Sequence, residues 1–183
     1  MASDARVRYT KMVIEQNFTM LLKEKPINKI TVKEICDLAE LKRATFYKHY
    51  LDVYDLLDKI ELRFIDELMA VLRSRENTTA KDMLTFIMVN FKAEEETYKA
   101  ICSPNGDPTF SAKIFEACHD SSLSGSVLEN KKITAIQREW AYRFIANGCN
   151  GILTKWIADG MCEPISEVAD FAEQLIGNAL MNI

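Results

Sequence analysis

Glycine and proline are scarce in this chain of 183 residues, at six and four. That shortage excludes a collagen-like or linker-built protein. Val and Ile runs alternating with period two are missing, and with them the usual signal of half-buried strands. No apolar stretch approaches the ~18 residues that a membrane-spanning helix needs, so no membrane segment is expected. The five cysteines, Cys36, Cys102, Cys118, Cys149 and Cys162, are odd in number and lack CxxC spacing. With no signal peptide at the N-terminus, they read as free thiols in a reducing, cytoplasmic setting. Ordinary buried packing is their first role, and redox sensing is the alternative. There is no glycine-rich phosphate loop, HExxH or nucleophile elbow. Of the two histidines, His119 follows Cys118, but neighbours on a helix point about 100° apart and do not face each other. No catalytic residue, metal site or cofactor is expected, and the chain does not read as an enzyme.

What is present is helical periodicity from end to end, with 48% apolar residues to build a core. The expected fold class is all-α. The net charge of −4 is unevenly spread. Residues 1–50 hold ten Lys and Arg against six Asp and Glu, whereas residues 51–183 hold thirteen against twenty-one. An acidic protein with a basic N-terminal quarter binds a polyanion locally, through that quarter.

The stretch Ile30 to Leu57 carries the sharpest pattern. A helix is predicted over Val32 to Ala39, with Ile35, Leu38 and Ala39 on one face. Thr31 precedes it and Glu34 follows three residues on, the capping-box spacing. Glu40-Leu41-Lys42 form a turn, with Leu41 plugging the angle. A second short helix, Arg43 to His49, exposes donors and cations on nearly every side and is too short to be stable alone. Phe46 and Tyr50 are expected to pack back onto the first helix. This is the arrangement of a helix-turn-helix, whose second helix enters the DNA major groove. Arg43 is the expected base reader, because its fork matches guanine O6 and N7; a solvated helix-start arginine is the alternative. Lys33, Lys42 and Lys48 fit phosphate contacts, which position without specifying. Thr45 suits a thymine methyl. Tyr47 suits either packing or phosphate, and His49 either a helix-end dipole or phosphate.

Around that stretch, a first helix is expected from Arg6 to Lys23, after a frayed Met1 to Ala5, with Ile14, Phe18, Leu21 and Leu22 buried. Asp52 caps a long helix, Val53 to Arg75, whose stripe is Val53, Leu56, Leu57, Ile60, Phe64, Leu68 and Val71 or Leu72. Further helices are expected at Ala80–Lys92, Glu95–Ser103, Thr109–Asp120, Lys131–Asp159 and Ser166–Met181, with Ser166 as a cap and SSLSGS at 121–126 as a flexible link. The penultimate helix is apolar on more than one side, through Ile133, Ile136, Trp140, Phe144, Ile145, Ile152, Leu153, Trp156 and Ile157. Gly148 and Gly151 would let another helix come close. A dimer interface on the last two helices is expected, through Ile145, Gly148, Ile152, Trp156, Phe171, Leu175 and Ala179. A central helix of a monomer is the alternative.

Ile30-Thr31-Val32, Ile35, Ala39 and Arg43-Ala44-Thr45-Phe46-Tyr47-Lys48-His49-Tyr50, followed by Asp52 and Leu56-Leu57, resemble the DNA-binding domain of TetR-type (tetracycline-repressor-like) bacterial transcriptional regulators. The segment Phe144 to Ile157 is similar to a subgroup that includes regulators of dihydroxyacetone kinase genes. The resemblance implies a three-helix DNA-binding head at 1–51. It also implies an effector-binding and dimerisation domain at 52–183, with helix 52–75 as connector. It implies that Arg43, Ala44, Thr45, Tyr47 and Lys48 face the groove and that Lys33 reaches bases or phosphate. Tyr47, His49 and the helix start at Thr31 are implied to touch phosphate. A small-molecule effector would lie among Phe64, Met83, Ile87, Phe91, Phe115, Trp140 and Phe144. The expected function is a ligand-responsive repressor that binds a palindromic operator in double-stranded DNA as a homodimer. A co-regulator or activator working through a partner protein is the alternative. Three residues depart from the family pattern. Glu40 stands where glycine is usual, Lys42 where a Ser or Asn cap is usual, and Val53 where a phosphate-binding lysine is common.

Overall fold

Short sequence signals, several of them caps, decide where the chain turns helical. The computed structural model describes residues 2–74, 79–119 and 132–181, and all regular structure among them is helical. The elements are α1 (Ala2–Glu24), a 3-10 turn (Ile27–Lys29), α2 (Val32–Leu38), α3 (Arg43–Phe46), α4 (Val53–Ser74), α5 (Ala80–Ala93), α6 (Glu95–Ile101), α7 (Phe110–Ala117), α8 (Ala135–Ala158) and α9 (Ile165–Leu180). The link expected at 121–126 lies outside the described residues.

Among the described residues, capping boxes open three helices. Thr31 with Glu34 opens α2, Thr79 with Asp82 opens α5, and Thr134 with Gln137 opens α8. In each, the threonine hydroxyl accepts an N3 amide and the N3 side chain accepts the threonine amide, so two orphan donors are satisfied at once. The Thr134 box starts α8 at Ala135, four residues after the expected Lys131. Asp52 caps α4 by accepting the Tyr54 and Asp55 amides, each at 2.9 Å. Ser166 is not a cap: α9 begins at Ile165, one residue earlier, with Pro164 as its N-cap and no side-chain cap hydrogen bond. Helix α1 begins at Ala2, ahead of the expected Arg6.

The chain divides into two compact units, with one boundary inside α4 between Arg63 and Phe64. The first unit comprises residues 1–63 and 96–108. Here α1 packs on α2 and α2 on α3, around Ile14, Phe18, Leu22, Ile35, Phe46, Leu56 and Ile60, all buried. Cys36 shares the buried face of α2 with Ile35, whereas Leu38 is exposed; a seven-residue helix has room to bury only one narrow arc. The 102–107 loop belongs to this unit too. The Asn105 side-chain amide donates to the Leu22 carbonyl at 3.0 Å, and its own carbonyl accepts the Ile27 amide at 2.8 Å. Gly106 is required in that loop, since a Cβ would meet the Ile101 oxygen at 2.3 Å.

The second unit comprises residues 64–95 and 109–183. Helix α9 packs on α5, and α8 packs on α7 and α9. Its core holds an aromatic cluster, with Phe64 edge-on to Phe91 at 5.2 Å and to Phe110 at 5.9 Å between ring centroids. Such offset and edge contacts follow from the ring quadrupole.

Helix α2 ends in a Schellman turn. The Leu41 amide reaches the Cys36 carbonyl at 2.9 Å and the Glu40 amide reaches Asp37 at 3.4 Å. That geometry needs a left-handed residue, and Glu40 adopts φ 53. A side chain there costs about 1–2 kcal/mol, partly offset by the roughly 0.5–1 kcal/mol of extra chain entropy that glycine must lose on folding. Glu40→Gly is therefore expected to raise stability by about 0.5–1 kcal/mol, read as a higher urea midpoint at unchanged slope.

Candidate nucleic-acid interface

The basic N-terminal quarter folds so that most of its cations stay exposed. Lys33 lies on α2, Lys42 sits just before α3, Arg43 opens α3, and Lys48 lies in the turn beyond it; all four are exposed. Among the described residues none of the four forms an ion pair. Ala44 and Tyr47 are exposed beside them, while Thr45 and His49 are half-buried. The structure thus brings together Arg43 to His49 as one cationic, donor-rich segment. Only Arg43–Phe46 is α-helical, shorter than the Arg43 to His49 expected, and the remainder is turn. Lys42 makes no side-chain cap, so the helix start is held by backbone bonds alone, the Lys42 carbonyl accepting the Thr45 amide at 2.7 Å.

The segment is anchored from beneath. Phe46 is fully buried and Tyr50 nearly so, with their rings 5.5 Å apart. Burying Phe46 contributes about 2–3 kcal/mol, enough to hold a turn of helix that would not form alone. The Tyr50 hydroxyl donates to Glu15 Oε1 at 3.0 Å, and Arg63 meets both Glu15 oxygens at 2.9 Å. Burial, and then the Glu15 charge, raise the Tyr50 phenol above its ordinary range, so it stays a donor. Glu15 and Arg63 had no local signal in the sequence; they are 48 residues apart and meet only through tertiary packing.

Thr31 is engaged within its own helix start. Its hydroxyl accepts the Glu34 amide at 3.3 Å, and its amide donates to Glu34 Oε2 at 3.0 Å. Lys25, and then Thr31, hold the Glu34 carboxyl below its ordinary range. A phosphate at this helix start would share the position with that carboxylate. Val53 is buried, so the first residue of α4 supplies a core contact in place of a cation.

In the second unit the residues expected to line an effector site separate into two groups. Phe64, Met83, Ile87, Phe91 and Phe115 are buried together in its core. Trp140 and Phe144 are elsewhere, 62% and 69% exposed. They line an open groove of about 500 Å³ with Ile133, Ala141, Ala179 and Leu180. The reason is angular. Ile136, Trp140 and Phe144 recur every four residues and form one arc of α8, whereas Cys149, Leu153, Trp156 and Ile157 form the arc that is buried. The residues expected at a dimer interface also differ in position. Gly148 is exposed, with open space where a Cβ would stand. Ile145 and Ile152 are half-buried, Phe171 and Leu175 are 59% and 45% exposed, and Ala179 is exposed. Trp156 instead packs inside its own chain, its indole donating to the Glu163 carbonyl at 3.1 Å. Among the described residues no cluster suited to a metal ion occurs, and no helix is long and apolar enough to cross a membrane.

A short cationic helix presented on a buried aromatic pair, after a Schellman turn, is the geometry of a helix-turn-helix DNA-binding protein. Residues 78–178 match the TetR-type family described as "Transcriptional regulator C-terminal region". The chain belongs to this TetR family of DNA-binding transcriptional regulators. Comparison with curated protein sequences finds no match. Solved structures share the fold across nearly the whole chain. A TetR transcriptional regulator from Streptococcus agalactiae 2603V superposes with a TM-score of 0.68 at 20% identity, covering 96% of this chain and 98% of that one. The dihydroxyacetone kinase operon activator DhaS gives 0.67 at 17% identity, covering 94% and 96%. The fatty acid degradation regulator FadR from Bacillus halodurans gives 0.67 at 15%, covering 91% and 93%. At these identities the likeness is one of fold.

His49 carries a pH consequence. Desolvation, and then the charges of Lys11, Lys48 and Lys59, lower its pKa below the ordinary 6.5. The unfolded chain therefore takes up this proton first. Its contribution to stability is intact above pH 6.5 and declines as pH falls from there through the lowered folded value. His49→Gln is expected to flatten the stability profile in that window, measured by urea unfolding at stepped pH.

Proposed function

We propose that the chain regulates transcription as a homodimer that reads a palindromic operator in double-stranded DNA with two copies of the Arg43–His49 segment. The observation that carries this reading is the run of exposed cations, Lys33, Lys42, Arg43 and Lys48, none of them in an ion pair among the described residues, on and beside a helix anchored by Phe46 and Tyr50. Uncompensated cations on a rigid exposed edge fit a phosphate lattice, and the Arg43 fork supplies base readout. Thr45, Tyr47 and His49 complete the contact surface, with Ala44 leaving room for close approach. In this reading residues 1–51 form the head, and 52–183 form the body, with α4 as the connector.

Dimerisation through α8 and α9 is supported by the exposed apolar residues Ile136, Trp140, Phe144, Phe171 and Leu175, with Gly148 and Gly151 open to a close approach. A patch with several large apolar side chains on one face marks an association surface. Trp140 and Phe144 thereby belong to the dimer face. An effector, if apolar or aromatic, would enter among Phe64, Met83, Ile87, Phe91 and Phe115, where methionine can repack around it. It would release DNA through differential affinity for two states of the body, which makes the protein a ligand-responsive repressor. A second reading, an activator or co-regulator that acts with a partner protein, is favoured by the missing cap at Lys42 and the buried Val53, which leave autonomous DNA binding modest. Capture of a partner with and without DNA separates the two.

Binding to a duplex selected from random DNA is expected to weaken steeply with salt. Arg43→Ala should cost about 1–3 kcal/mol of affinity, and Lys48→Ala should lower the salt slope by about 1. Binding that ignores salt, or survives Arg43→Ala combined with Tyr47→Ala, overturns the reading. Phe144→Asp with Phe171→Asp is expected to give a folded monomer by sedimentation. A dimer that persists with both charges in place moves the interface elsewhere.

A further inference from the structure

The recognition segment lacks an N-terminal cap and a full second turn of helix, yet its far end is held firmly. Lys59 of α4 donates through Nζ to the His49 carbonyl at 2.9 Å and to Asp55 Oδ2 at 2.8 Å. The same Asp55 oxygen accepts the Leu51 amide at 2.7 Å. One ammonium and one carboxylate thus tie a carbonyl at the end of the segment, and the amide two residues on, to the first turns of α4. The ammonium also lies 5.5 Å from the centroid of the Tyr50 ring, over its face. That ring is the one anchored by Glu15 and packed on Phe46. The segment end is therefore gripped by α4 through Lys59 and by α1 through Glu15.

A lysine in a basic DNA-binding head is ordinarily a phosphate contact. Lys59 differs from Lys33, Lys42 and Lys48 because two of its three donors already serve protein acceptors. Its ion pair with Asp55 is partly solvated, with the Lys59 side chain 47% exposed, so the pair adds little to global stability. What it controls is direction: it sets where the His49 carbonyl sits, and through that the pitch of the Arg43–His49 segment against α4. Base readout by a bidentate arginine tolerates only about 0.5 Å of misplacement.

We propose that Lys59 is a positioning residue for operator reading, which orients the recognition segment through the His49 carbonyl and Asp55 without touching DNA. The inference rests on the reading that Arg43–His49 enters the groove. The test uses the full chain and a duplex recovered by selection with the unmodified protein, beside a random-sequence duplex of equal length. Affinity for both is measured over a salt series for Lys59→Met, Lys59→Arg and Arg43→Ala, with the thermal midpoint of each. Lys59→Met is expected to weaken the selected duplex about tenfold while the random duplex, the salt slope and the midpoint stay unchanged. Lys59→Arg, which can reach both acceptors, restores most of the loss. A salt slope reduced by about 0.9, with equal weakening on both duplexes, makes Lys59 a phosphate contact and overturns the proposal. Unchanged affinity overturns it as well, as does a uniform loss that follows a fallen midpoint. If Arg43→Ala leaves the selected duplex bound as before, the groove reading itself fails. A loss with Arg43→Ala and none with Lys59→Met sinks the positioning role alone.

Discussion

The burial of Phe46 and Tyr50 is the contact on which the helix-turn-helix segment depends. A helix of four residues cannot stabilise itself, because nucleation fixes several dihedrals before any hydrogen bond is repeated. Its existence is owed to two rings pressed into the same core as Phe18, Leu22 and Ile35. Once that anchor is set, the outward side is free to carry whatever charge recognition needs. Arg43, Lys48 and Lys42 stay exposed, and among the described residues none forms an ion pair, because the apolar side of the segment already supplies the stability. The Schellman turn at Glu40 completes the frame, at the cost of one strained residue.

The second unit solves a different problem. It must bury enough apolar surface to be stable and still leave an apolar face available. Helix α8 does this by carrying two arcs. One holds Leu153, Trp156 and Ile157 and closes its own core; the other holds Ile136, Trp140 and Phe144 and stays open. Because residues four apart stack on one face while the two arcs are rotated from each other, a single helix serves both ends. The aromatic cluster of Phe64, Phe91 and Phe110 holds the interior. The exposed arc lies in the part of the chain, residues 51–183, whose charge balance is acidic.

How much was legible from residues alone follows the range of each interaction. The Thr31–Glu34 box, the Asp52 cap, the buried stripe of α1 and the end of α8 at Gly160 are local, set within a few residues, and all are found as expected. The Thr134–Gln137 box is equally local, but apolar residues continue on both sides of it and mask the helix start. Trp140 and Phe144, expected with Phe64 and Phe91 at an effector site, are exposed on the open arc of α8, because apolar coverage counts residues without saying which arc finds a partner.

The all-α class, the helix-turn-helix segment and its cationic character follow from the residues alone, because periodicity, caps and charge partition are encoded over short distances. The strain at Glu40, foreshadowed only by the family's usual glycine at that place, is seen in its left-handed backbone, φ 53. Only the tertiary structure decided which side chains hold the segment in place. Glu15, Arg63 and Lys59 come from helices far apart in the chain, and hydrogen bonds between such groups have no local signature. The same holds for the open arc of α8: whether an apolar residue is core or surface depends on what packs against it, and that is settled only when the helices meet.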